Sequence, residues 1–306
     1  MNFSVLMEKM AVFSVIMLIG YFFARRGLVE RSFSRGASML VLNVFLPATI
    51  VNSVFLSDMT LGAKELGWLL LVVTVALGVS FVLAWVTMRL IPMRSAPDRA
   101  PVFELLLGIS NTMFVGMPIA QELFGPVAVF YCALSCIPFN VYTYTYGVWR
   151  LKRGAGGFNL KGLFSVPLVA TLLATLLFLM HIPVPGVIRS VTGALNGATM
   201  PLSLLVIGLS VGSVSLVDAF KNKQLYLVSL LRLVVFPVIT WLILRLMTDD
   251  PVLLTTCLLL AASPCAVLAA VLAIQFGRDG VYGAEGVLQS TILSIVTIPL
   301  LVYFLG

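Results

Sequence analysis

Two short runs of polar and helix-breaking residues interrupt apolar stretches of this chain. One extends from Gly108 to Pro118, and the other is Ser263-Pro264. Proline removes a backbone donor and clashes with the carbonyl four residues earlier, so each run predicts a broken helix. A helix start presents free amides and about half a positive charge, which attracts an anion. We therefore predict half-helices that begin at Pro118 and at Ser263-Pro264; a simple proline kink is the alternative.

Several amide and hydroxyl side chains are candidates for contact with this anion. Asn111 comes first, because its amide can donate a hydrogen bond to a carboxylate; an interhelical hydrogen bond that only packs helices is the alternative. The predicted binding residues are Asn43, Asn111, Pro118, Asn140, Ser263, Pro264 and Ser290.

Residue patterns typical of hydrolysis and of metal binding are missing from the sequence. The single histidine, His181, falls at the end of an apolar stretch, and there is no HExxH motif. The four cysteines form no CxxC pair, and no two aspartates lie deep in apolar stretches. We therefore expect no enzyme, no metal site and no cofactor.

The composition of the chain indicates a polytopic membrane protein. Of its 306 residues, 60% are apolar and only 10% are charged, whereas a soluble domain carries about 25% charged residues. That shortage excludes a cytosolic enzyme, a secreted disulfide scaffold and a disordered chain. The net charge of +7 reflects basic loops rather than a nucleic-acid partner, and the expected surroundings are a lipid bilayer.

Ten apolar segments are long enough to cross a bilayer, at roughly 20 residues each. Spans 1 to 10 run at about 5–24, 37–56, 66–90, 102–122, 127–149, 163–181, 198–217, 225–247, 252–276 and 282–305. The loops after the odd-numbered spans hold fourteen of the nineteen basic residues. Because basic loops stay in the cytoplasm, both termini are predicted on the non-cytoplasmic side.

The ten spans divide into two halves of five. We predict a first repeat at 1–149, a cytoplasmic linker at 150–162 and a second repeat at 163–306. An odd number of spans per half means that the second half enters the membrane inverted, as in many secondary transporters. Prolines support the match, since Pro47 corresponds to Pro201 and Pro118 to Pro264. The fold expected is all-α, with two inverted five-helix repeats.

Arg232 lies about seven residues inside span 8. A charged side chain at this depth needs a partner. We expect Arg232 to pair with Glu104 or Glu285, near the inner ends of their own spans. Reaching the cytoplasmic surface and facing a substrate carboxylate are the alternatives.

The chain resembles the auxin efflux carrier family, including its bacterial malonate-transporter-like members, nearly from end to end. The resemblance is carried by Leu42–Pro47, Ser110–Pro118, Asn140 to Gly147, Pro201–Gly208, Arg232 to Pro237, Ser263-Pro264, and Ser290 through Pro299. It implies that spans 1, 2, 6 and 7 form a scaffold, often dimeric. Spans 3–5 and 8–10 would form a moving unit in which the broken helices 4 and 9 cross.

The function implied by this resemblance is secondary transport of small organic anions, such as malonate, across the plasma membrane by an elevator-type motion. The short 150–162 linker favours the compact bacterial form, in the inner membrane, and argues against auxin itself as the physiological substrate. A sodium- or proton-coupled carrier of the bile-acid-symporter or cation-antiporter type is the alternative. The coupling ion, the direction of transport and the oligomeric state are not readable from the sequence.

The predicted topology can be tested with reporters fused after Gly306. A reporter active only outside the cytoplasm should give signal, and one active only in the cytoplasm should give none. The reason is that the basic loops after the odd-numbered spans stay in the cytoplasm, which places the C-terminus on the other side. The reverse result would mean an odd number of spans or a misplaced break between them.

Overall fold

The computed structural model describes residues 3–56, 62–91, 93, 96–152, 163–180, 182, 184–212 and 214–306. Helices account for all regular elements in these ranges, which agrees with the predicted all-α class. Most of the predicted linker, and His181, lie outside the described residues.

The helices of the first half include two long uninterrupted ones and several shorter pieces. The α-helices run Phe3–Arg25, Arg31–Leu40, Leu46–Leu56, Ala63–Leu90, Ala100–Gly108, Met117–Phe124, Pro126–Leu134, Cys136–Tyr142 and Val148–Leu151. Three π-helical turns, Val41–Phe45, Thr112–Gly116 and Thr143–Gly147, continue or join them. Spans 2 and 5 are therefore helical along their length but contain a π turn.

The second half is built in the same way. Its α-helices run Val166–Leu179, Gly186–Gly212, Leu216–Lys221, Lys223–Leu230, Phe236–Leu244, Pro251–Ala262, Val267–Gln275 and Gly280–Leu305, with a π turn at Leu231–Val235. Span 8 thus contains a π turn, and span 9 is divided between two helices.

Seven helices in the described residues are long and apolar enough to cross a membrane, which identifies the chain as a membrane protein. They correspond to spans 1, 2, 3, 5, 7, 8 and 10. Span 6 has 14 helical residues, a length of about 21 Å, and spans 4 and 9 are each divided. The arrangement of ten spans as inverted repeats therefore stays a prediction.

Three of the π turns end two residues before a proline. The turns Val41–Phe45, Thr112–Gly116 and Leu231–Val235 precede Pro47, Pro118 and Pro237. A proline ring clashes with the carbonyl four residues earlier, and the wider π turn moves that carbonyl away. These helices therefore continue through their prolines instead of ending at them.

Spans 1 and 7 approach each other closely through glycine. A Cβ placed on Gly208 would overlap the Met17 carbonyl oxygen and lie 2.9 Å from the Tyr21 backbone nitrogen. Small residues permit such contact between membrane helices. Span 7 also joins span 2, where the Thr49 and Thr199 hydroxyls lie 2.7 Å apart and both are buried. Span 7 thus packs against both span 1 and span 2.

Candidate functional site

Spans 4 and 9 are both interrupted, and their interruptions lie against each other. Span 4 leaves its first helix after Gly108 and restarts at Thr112, while span 9 leaves its first helix after Ala262 and restarts at Val267. Ser110 and Cys265 form an antiparallel bridge between the two extended segments. We call residues 109–111 and 263–266 together the crossing.

Backbone hydrogen bonds join the two sides of the crossing. The Asn111 amide donates to the Pro264 carbonyl at 2.8 Å, and the Ala266 amide donates to the Ile109 carbonyl at 3.1 Å. Polar backbone groups without partners cost several kcal/mol each in hydrocarbon. Each broken helix therefore supplies partners that the other one needs.

The predicted start of the half-helix in span 4 was wrong. The helix restarts at Thr112, and Pro118 lies in the following helix Met117–Phe124. The π turn accommodates the proline ring, so Pro118 does not have to mark a helix end.

The predicted start in span 9 was also wrong. Ser263 ends the first helix, where its hydroxyl donates to the Leu259 carbonyl at 2.8 Å. The cap of the second helix is Ala266, which has no side chain that could accept a hydrogen bond. Pro264 lies in the extended segment, where its missing N–H leaves no donor unpaired while its carbonyl accepts from Asn111.

Asn111 was expected one to two turns before a break at Pro118, whereas the structure places it at the break itself. The residue caps the restarted helix with a non-helical backbone, and it is 5% exposed. Its side-chain Nδ2 has no hydrogen-bond partner among the described residues. A buried amide donor is therefore available beside the first free amides of a helix.

The other predicted binding residues differ in their relation to the crossing. The Ser290 hydroxyl accepts from the Cys265 amide at 3.1 Å and donates to the Val287 carbonyl, so span 10 supports the crossing. Asn140 is buried, but its Nδ2 donates to Cys136 of its own helix at 2.7 Å. Asn43 is exposed and donates to Met39, also in its own helix.

The expected pairing of Arg232 with an acidic side chain was wrong. Its Nη1 donates to the Leu107 carbonyl at 3.0 Å and its Nε to the Ser263 carbonyl at 3.3 Å. Glu104 is buried and accepts from the Tyr146 hydroxyl and from Arg150, each at 2.6 Å. The sequence suggested Glu104 as the partner of Arg232 because it shows which side chains are charged. It does not show which backbone carbonyls at helix ends are free to accept a hydrogen bond.

A reciprocal pair of salt bridges holds spans 4, 9 and 10 together at one end. Arg99 bonds to Asp279 at 2.7 Å, and Arg278 bonds to Asp98 at 2.9 Å. Asp279 also caps the helix of span 10 by accepting from the Tyr282 amide. The loops before span 4 and before span 10 are thereby fixed to each other.

The far end of span 4 contacts the predicted scaffold. Glu122 forms a salt bridge with Lys9 of span 1. The neighbouring Gln121 donates to Asn196, in the helix of span 7, at 2.9 Å. These polar contacts join the predicted moving unit to the predicted scaffold.

The fold and the site define a class of protein: a polytopic helical membrane protein with two broken helices that cross at a buried polar centre. Within the described residues, no group of three or more His, Cys, Asp or Glu side chains could hold a metal ion. The family model described as membrane transport protein matches residues 5–157 and 155–302. The chain belongs to this family, the auxin efflux carriers that the sequence resembles.

Curated relatives match along nearly their whole length. An uncharacterized transporter of Methanothermobacter thermautotrophicus is 27% identical, with 94% of each chain covered. The uncharacterized transporter YfdV of Escherichia coli K12 is 25% identical, again with 94% of each chain covered. A third, from Methanocaldococcus jannaschii, is 23% identical over 96% of this chain and 97% of its own.

Two serines of span 10 provide a matched test of the crossing. Ser290→Ala should lower stability by roughly 1–3 kcal/mol, because the buried Cys265 amide loses its acceptor. Ser294 is equally buried but donates only to Thr291 in its own helix, so Ser294→Ala should cost less. Thermal unfolding of the purified protein in detergent measures both, and equal losses would contradict a special role for Ser290.

Proposed function

We propose that this protein is a secondary transporter that moves small organic anions across the plasma membrane by alternating access. The observation that carries the proposal is Asn111: a buried side-chain amide without a partner among the described residues, at the start of a helix that begins inside the protein. Family membership supports the transport function, and Asn111 indicates where the anion would bind.

The chemistry of this position favours a carboxylate. An ionised carboxylate is acceptor-only and has two oxygens, so it can accept from the Asn111 amide group. The amides at the start of the restarted helix add about half a positive charge. A neutral solute would not use that charge, and a cation would be repelled by it.

Alternating access would use the division into a scaffold and a moving unit. The bridge of Ser110 to Cys265 and the salt bridges of Arg99 and Arg278 lie within spans 4, 9 and 10. The pair Lys9 and Glu122 and the pair Gln121 and Asn196 instead join span 4 to spans 1 and 7. An elevator-type motion would keep the first set of contacts and break the second.

The finer features of the proposal follow the resemblance. They are ten spans in two inverted repeats, both termini outside the cytoplasm, location in a bacterial inner membrane, and a homodimer through spans 1, 2, 6 and 7. Substrate candidates are malonate, other dicarboxylates, monocarboxylates and auxin-like acids.

Replacement of Asn111 tests the site. Losing one hydrogen bond to a charged group costs roughly 1.5–3 kcal/mol, so Asn111→Ala should weaken anion binding about 10–150-fold. Asn111→Asp should weaken binding further, because an ionised carboxylate repels the anion. Counterflow in proteoliposomes with malonate, other dicarboxylates, monocarboxylates and indole-3-acetate first identifies the substrate and then compares the variants.

The control for this experiment is Ser38→Ala. The Ser38 hydroxyl donates to the Ser34 carbonyl in its own helix, so its loss should change affinity little. Wild-type affinity in a well-folded Asn111→Ala protein would exclude Asn111 from the site and leave it a packing residue.

Cross-links test the motion. A short reducible cross-linker with two thiol-reactive ends, bound to Lys9→Cys and Glu122→Cys, should stop transport, because it ties the scaffold to the moving unit. The same cross-linker bound to Arg99→Cys and Asp279→Cys lies within the moving unit and should leave transport intact. Both are formed in a background without the native cysteines and are read by counterflow before and after reduction. Full activity with the first cross-link in place would rule out an elevator-type motion.

A further inference from the structure

Arg232 is fully buried and reaches both broken helices from span 8. It is the second residue of the π turn Leu231–Val235, which precedes Pro237. Its acceptors are Leu107, in the last turn of the first helix of span 4, and Ser263, which ends the first helix of span 9. One guanidinium thus binds the carboxyl-terminal ends of both half-helices.

The charge of Arg232 is compensated by backbone rather than by an acidic side chain. Burying an ionised group without compensation is very costly. Each helix carboxyl terminus carries about half a negative charge, so the two ends together offer roughly one negative charge to one guanidinium. Of the two acidic groups expected nearby, Glu104 and Glu285, Glu104 is already bound by Arg150 and Tyr146.

The shape of the arginine side chain suits this position. Its donors form a rigid fork, which can serve two carbonyls from different helices at once, and it stays charged at any physiological pH. Pro237 contributes indirectly, because the π turn before it holds Arg232 at the crossing. The Arg232 Nη2 has no hydrogen-bond partner among the described residues, so the hydrogen bonds of the guanidinium go to the two helix ends.

We propose that Arg232 is a positioning residue that acts as the built-in counter-charge of the crossing. It occupies carbonyl oxygens of the two half-helix ends that a bound cation would otherwise coordinate. The crossing therefore forms without an inorganic cation, and the carrier needs neither sodium nor potassium to assemble its site. This inference concerns assembly of the crossing and does not depend on which anion is carried.

The first part of the test uses the wild-type full chain purified in detergent and reconstituted in proteoliposomes. Its unfolding midpoint and its counterflow should be the same in sodium, potassium and choline chloride at equal ionic strength. A midpoint or a rate that falls when choline replaces sodium would overturn the proposal, because the crossing would then need the cation.

The second part separates charge from shape at position 232. Arg232→Met keeps much of the length but has no charge, and Arg232→Lys keeps the charge without the fork. We expect Arg232→Met to lower counterflow about tenfold or more and to lower the unfolding midpoint clearly. Arg232→Lys should retain several times the counterflow of Arg232→Met. Arg245→Met is the control: its guanidinium is exposed, over the Trp241 ring at the end of the same span, and both readouts should stay near wild type.

Chemical rescue completes the test. Arg232→Ala leaves space for a small cation, so millimolar methylguanidinium should raise its unfolding midpoint and counterflow, whereas choline at the same concentration should not. The proposal would be overturned if Arg232→Met and Arg232→Lys were equally impaired, or both failed to fold, and methylguanidinium did not rescue Arg232→Ala. Arg232 would then act only by packing. Because the unfolding midpoint requires no substrate, this outcome is independent of the Asn111 result.

Discussion

The structure depends on one constraint: the backbone must find hydrogen-bond partners where a membrane helix is interrupted. Span 4 and span 9 each contain such an interruption, and neither could exist alone in hydrocarbon. Two backbone hydrogen bonds between residues 109–111 and 264–266 give partners to two amides and two carbonyls. Ser290 accepts from the Cys265 amide, and Arg232 donates to the carbonyls of Leu107 and Ser263 at the half-helix ends. Four spans are therefore tied to the same point.

The same constraint would keep these spans together in the proposed elevator-type motion. Separating span 4 from span 9 would break the crossing, whereas sliding both past spans 1 and 7 would break contacts such as Lys9 with Glu122. The salt bridges of Arg99 and Arg278 reinforce the first group at one end. The cost of exposing backbone thus favours motion of an intact crossing over motion within it.

The sequence predicted the existence of the breaks better than their geometry. Glycine, serine, asparagine and proline in apolar stretches correctly predicted interruptions in spans 4 and 9. Pro118 misled about the start of a helix, because a π turn lets the helix continue through it. Pro264 misled because a residue without an N–H also suits an extended segment. The sequence did not predict the partners of Arg232, because they are backbone carbonyls at helix ends and not acidic side chains.

Asn111 differs from Ser263 and Ser290 in what its side chain is bound to, and it shares its lack of a partner with the neighbouring Ser110 hydroxyl. The Ser263 hydroxyl bonds to Leu259, and the Ser290 hydroxyl bonds to both Cys265 and Val287. These bonds hold the backbone of the crossing in place, and such a frame can position a donor without giving it a partner. The Asn111 Nδ2 is such a donor among the described residues. A ligand that accepts its hydrogen bond would gain energy that the folded protein leaves unused, which supports the proposal that the anion binds at the break in span 4.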